Sequence, residues 1–126
     1  MRKWFLLYIT IIVFVAMFFS YNAYTEAPLT EDQALNILVS KIKKDKPYDS
    51  WTTLSCLSFR IEGETKDYIE IGIHEKHGGN CLGDPDTYPT VDSFRIHRLT
   101  KKIQWLEPTE DQWLPYKAAL KARLQK

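Results

Sequence analysis

The stretch Leu57-Ser-Phe-Arg-Ile-Glu-Gly-Glu-Thr-Lys-Asp-Tyr-Ile-Glu-Ile-Gly-Ile-His74 decides the fold class. Leu57, Phe59 and Ile61 alternate with Ser58 and Arg60, and Ile69, Ile71 and Ile73 alternate with Glu70, Gly72 and His74. A side-chain period of two puts each isoleucine set on one face of a strand. The intervening Glu62-Gly-Glu-Thr-Lys66 is turn chemistry, so the two runs predict a β-hairpin with one buried face.

The pattern extends on both sides of this hairpin. Downstream, residues 76–90 are almost all turn formers, a loop long enough to be either functional or pinned. Val91, Phe94 and Ile96 then mark a third strand with a bulge near Asp92-Ser93. Leu99-Thr-Lys-Lys102 predicts a turn, and Ile103 and Trp105 open a fourth strand. Upstream, Thr30-Glu-Asp-Gln33 is a capping-box signature. Leu35, Leu38 and Ile42, with Ala34 and Ile37, recur behind it at helical spacing, predicting a helix over about 31–44 with Pro47 beyond its end. The same tetrapeptide at Thr109–Gln112 reads as a second helix-start signal. A short turn at 109–113 and a helix from about 115 to 124 are expected, striped by Tyr116, Ala119, Leu120 and Leu124. The expected fold class is α+β: an N-terminal helix, a four-stranded antiparallel sheet and a C-terminal helix, with the helices on one face.

The first 27 residues have a different character. Arg2 and Lys3 precede Trp4–Phe19, a run without charge that is rich in Phe, Leu, Ile and Val. A basic start, an apolar middle and a polar exit form the layout of an export signal, and the run is close to the length that spans a bilayer. Residues 1–27 therefore read as a signal peptide or as an N-terminal membrane anchor. Residues 28–126 read as one α+β domain. Cleavage after Ala27 places Thr25 at the −3 position, whereas cleavage after Ala23 places the bulky Tyr21 there. The basic flank orients the chain with its domain outside the cytoplasm. The expected location is periplasmic or secreted, or anchored in the inner membrane with the domain outside. In either case the segment contacts the membrane at least during export.

Of 17 basic and 16 acidic residues, Arg2, Lys3 and Glu26 lie in the first 27, so the exported part is balanced in charge. Nucleic-acid binding calls for a clustered basic face, and the reading is therefore no nucleic acid. Cys56 and Cys81 are the two cysteines, and an even pair in an oxidising compartment predicts a disulfide. It would pin the long loop and contribute about 3–4 kcal/mol to a small domain.

Candidate chemistry is sparse. His74, His77 and Cys81 follow no recurrent zinc spacing, and a bonded Cys81 is no ligand. Asp84-Pro85-Asp86 lacks the ligand alternation and closing Glu of an EF-hand and reads as an Asx turn. A nucleophile elbow is missing, and a Cys81–His77 pair would need a free thiolate. The expectation is no catalytic residue, no metal and no cofactor. Aromatic residues are more informative, because Trp and Tyr dominate binding hot spots. Trp51 and Tyr88 lie in irregular segments. With His77, Asp84 and Asp86 they form the candidate binding loop.

The start Leu29-Thr-Glu-Asp-Gln-Ala-Leu35 and the late hairpin Ser93-Phe-Arg-Ile-His-Arg-Leu-Thr-Lys-Lys-Ile-Gln-Trp105 resemble the layout of PepSY-type domains, exported α+β modules associated with protease propeptides and inhibition. The stretch His77–Arg95 resembles a motif in small uncharacterised exported proteins of Gram-negative bacteria. The PepSY-like layout implies a protein-binding or inhibitory module. The small clipped fold, the long pinned loop and the missing catalytic set lead to the expectation of a non-catalytic envelope module whose partner is another envelope protein, for instance a hydrolase. A membrane-anchored structural or assembly factor and a small thiol- or metal-dependent enzyme are the alternatives.

Overall fold

The computed structural model describes residues 2–4 and 26–125. The rest of the segment read as signal or anchor lies outside the described residues. Among those described, no helix is long and apolar enough to cross a membrane.

Helix α1 spans Glu31–Asp45. Thr30 Oγ1 accepts from the Gln33 N–H at 3.3 Å, while Gln33 Oε1 accepts from the Thr30 N–H at 3.0 Å, completing the capping box. Ala34, Leu38 and Ile42 form the buried stripe, and Leu35 and Ile37 pack at its margins. The helix stops where Lys46 turns left-handed (φ 51°) and sends its N–H back to the Ile42 carbonyl, followed by Pro47.

Five antiparallel strands follow in a simple meander: β1 Leu57–Glu64, β2 Tyr68–Glu75, β3 Thr90–His97, β4 Ile103–Glu107 and β5 Gln112–Pro115. Helix α2 covers Tyr116–Leu124. The inner face aligns Phe59 with Ile73, Ile61 and Phe94 with Ile71, Ile96 with Ile69, and Trp105 with Phe94. Both helices pack on this face. Ile69, Ile71, Ile73, Phe94 and Ile96 are fully buried beneath them. Each such side chain contributes about 1.5–3 kcal/mol of hydrophobic stabilisation.

The sheet has five strands where the sequence predicts four. Thr109, Glu110 and Asp111 of the helix-start tetrapeptide lie in the tip of the β4–β5 hairpin, and Gln112 opens β5. Glu107 Oε2 accepts from the Thr109 and Glu110 N–H groups at 3.0 and 2.7 Å, with the Glu110 bond the larger reason its carboxyl sits below the usual range. Asp111 takes φ 55° and donates its N–H to the Glu107 carbonyl. The caps thus serve a turn. Leu114 then pairs with Trp105, and Pro115 closes an edge strand where its missing N–H costs no ladder bond. In α2, Tyr116 and Ala119 are buried, but Leu124 is exposed rather than part of the stripe. The first hairpin is also tighter than its sequence predicts. Glu62–Glu64 belong to β1, with the register shift between Ile61 and Gly63, and the reversal occupies residues 65–67. The bulge in β3 falls at Val91, since Asp92 pairs with Ile73 and Thr90 with His74.

One carboxylate lies inside this core. Asp92 is 4 % exposed and accepts four hydrogen bonds. Tyr48 Oη donates to Oδ2 at 2.7 Å and Trp105 Nε1 to Oδ1 at 2.7 Å, and Arg123 Nε and Nη2 donate to the pair at 3.1 and 2.7 Å. A buried charge persists only when paired and bonded, and this one is both. Burial, reinforced by the Asp92 charge, pushes the Tyr48 phenol far above its ordinary range, so it stays a donor. Asp92 ties the segment after α1, strand β4 and helix α2 to β3.

Candidate binding loop and its cleft

The chain enters the site through a 3₁₀ turn at Leu54–Cys56, which presents Cys56 beside the end of β2. The Cys56 carbonyl accepts from the Lys76 N–H at 2.8 Å, and Cys56 and Cys81 are joined by a disulfide, as the sequence predicts. Gly78 and Cys81 exchange two backbone hydrogen bonds of 3.0 Å around a Gly79-Asn80 tip. Positive φ at Gly78 and Gly79 makes that tip possible.

His77 secures the rest of the loop. Its Nε2 lies 2.6 Å from Glu75 Oε2, and its Nδ1 lies 3.0 Å from the Asp84 carbonyl and 2.8 Å from Thr87 Oγ1. The bond to Glu75, helped by the Asp84 carbonyl, raises the imidazole's pKa above its ordinary value. In the protonated ring both nitrogens donate, and both acceptors are in place. Gly83 runs so close that a Cβ would stand 2.6 Å from the imidazole, at a φ of 112° that disfavours side chains in any case. Asp84 Oδ1 accepts from the Asp86 N–H at 3.0 Å, which is the predicted Asx turn.

Between the 51–53 segment and this loop lies a cleft of about 220 Å³ lined by Trp51, Thr52, Thr53, Cys56, Glu75, Lys76, His77, Asn80 and Leu82. Of the predicted site residues, Trp51, His77 and Cys56 come together here. Trp51 stands edge-on to the buried Tyr48, with ring centroids 5.9 Å apart, and is 47 % exposed. Asp84 and Asp86 are exposed on the far limb, where Asp84 serves the loop's own turn. Tyr88 leaves the cleft altogether and lies over Arg60 on the outer side of the sheet. Sequence reading missed Leu82, which is 90 % exposed at the rim, and Glu75, the partner of His77. The signal for Leu82 was present: it is the one aliphatic residue in a polar loop, directly beside Cys81.

Cys81 is held in the disulfide, and the two nitrogens of His77 are engaged by Glu75 at the end of β2 and by the loop. His74 turns to the outer face, where it meets Glu62 at 2.8 Å and Thr90 at 3.3 Å. Among the described residues, no three His, Cys, Asp or Glu side chains converge as a metal site. Compared with known protein families, curated proteins and solved structures, the chain matches none.

Proposed function

We propose that this domain is a non-catalytic module of the cell envelope that binds another protein through the pinned loop, acting as an inhibitor or protective partner of an envelope hydrolase. The observation that carries this reading is the pair Trp51 and Leu82, two large apolar side chains held in water on either side of one cleft. Exposed aromatic and aliphatic anchors on a pre-ordered loop are what binding hot spots need, because little further ordering is required on association. The disulfide and His77 supply that order, and the disulfide suits an oxidising compartment. The PepSY-like layout of the helix start and late hairpin points the same way.

The test is saturable capture from envelope extract of the native host by the immobilised full-length chain, compared with Trp51→Ala/Leu82→Ser. A partner retained by the native chain and lost by the variant is the expected result. Absence of any saturable partner, or equal retention by the variant, would overturn the reading.

A further inference from the structure

The outer face of the sheet carries a feature that the loop does not use. Strand alternation places Tyr68, Arg95, Gln104 and Trp113 there, one on each of β2 to β5. The Arg95 guanidinium lies between two rings, 4.1 Å from the Tyr68 centroid and 4.5 Å from that of Trp113. Its Nε donates to Gln104 Oε1 at 2.7 Å. Two ring contacts and one bond fix the guanidinium plane while leaving its terminal edge unused. Among the described residues, neither terminal nitrogen has a hydrogen-bond acceptor and no carboxylate forms an ion pair with Arg95. An acid is nearby, since Glu70 is the cross-strand partner of Arg95, but its carboxylate leans the other way, over Gly63.

We propose that Arg95 anchors a carboxylate-binding site on this face, filled by a Glu or Asp side chain of a protein partner laid across β2 to β5. An oriented guanidinium edge matches a carboxylate with two parallel hydrogen bonds. Glu62, which meets His74, and Glu70, the cross-strand partner of Arg95, lie on the same face, so a dianionic phosphate meets more repulsion there than a single carboxylate does. A chain terminus fits poorly, because α-carboxylate capture uses free backbone N–H groups and the central strands spend theirs in the ladder. The site is separate from the loop cleft, and its test does not depend on the loop reading.

The experiment is an NMR titration of the full-length, ¹⁵N-labelled chain in non-ionic detergent, reading the Arg95 Nε–H and Trp113 indole N–H resonances. The probes are N-acetylglutamate N-methylamide, its glutamine counterpart, N-acetylglutamine with a free α-carboxylate, and inorganic phosphate. The glutamate probe is expected to shift both resonances saturably, at least fivefold more tightly than each of the other three. Arg95→Lys keeps the charge but loses the plane, and is expected to weaken the glutamate probe at least fivefold, read there at the Trp113 indole. Gln104→Leu releases the plane from an outward position, and is expected to weaken it at least threefold. It decides the matter if the lysine variant does not fold. No saturable shift, smaller differences between probes, or variants that bind like the native chain would overturn the proposal.

Discussion

Replacing Asp92 with alanine removes the acceptor of four hydrogen bonds at once. The buried Tyr48 hydroxyl and Trp105 indole N–H are then left without a partner, at about 1–3 kcal/mol each. Arg123 also loses its counter-charge, but its side chain is 18 % exposed and can swing toward water, which moderates its share. Breaking a buried pair from one side costs about 3–5 kcal/mol, and we expect about 4 kcal/mol for Asp92→Ala. That is a large part of the roughly 5–15 kcal/mol that stabilises a domain of this kind. Asp92→Asn keeps the shape but turns an amide donor toward existing donors, and is expected to cost about 2–3 kcal/mol. Urea unfolding, followed by tryptophan fluorescence, reads both values as midpoint shifts at constant slope. A double-mutant cycle with Arg123→Met should show a coupling of about 1.5–3 kcal/mol. A cost below about 1 kcal/mol for Asp92→Ala, or strict additivity in the cycle, would mean that this carboxylate does not hold the three elements to β3.

Removing the clip by Cys56→Ser/Cys81→Ser opens a closed loop of 25 residues. The chain-entropy relation gives about 3.5 kcal/mol for that length, so calorimetry should record a fall in Tm of about 15–25 °C; a fall under about 5 °C would contradict it. The His77 clamp makes the loop sensitive to pH. Because its pKa is raised in the folded state, its contribution is fully present below the ordinary value of 6.5 and fades as pH rises through the raised folded value. Hydrogen exchange at the Gly78 and Thr87 amides, corrected for intrinsic rates, should therefore show protection falling above that range. His77→Gln should abolish the dependence, and an unchanged profile in that variant would exclude His77 as its source.

Much of the fold was legible because its signals are local. The box at Thr30 and Gln33 and the isoleucine alternation in β2 each carry their meaning within a short window, and the Cys56–Cys81 pair, 25 positions apart, is legible because the sequence holds no other cysteine. Strand β5 was not legible. Four residues ending in proline, behind a tetrapeptide that caps a helix elsewhere in the same chain, favour the wrong element until Glu107 is seen taking the caps for a turn. Asp92 is harder still. Its donors stand 13, 31 and 44 positions away, so nothing nearby distinguishes a buried carboxylate from a bulge residue. At the loop, the exposure of Trp51 is legible from the irregular pattern around it. The sequence groups Tyr88 with the binding loop because it does not reveal on which side of the sheet the chain re-enters at Thr90.

Site-specific photo-crosslinking in the living host tests recognition by the loop most directly. A benzophenone side chain at position 82, already exposed and apolar, is compared with the same group at position 117, exposed on α2. A discrete protein adduct is expected from position 82, lost when Trp51→Ala is added, and none from position 117. No adduct at 82, or the same adducts from both positions, would contradict it.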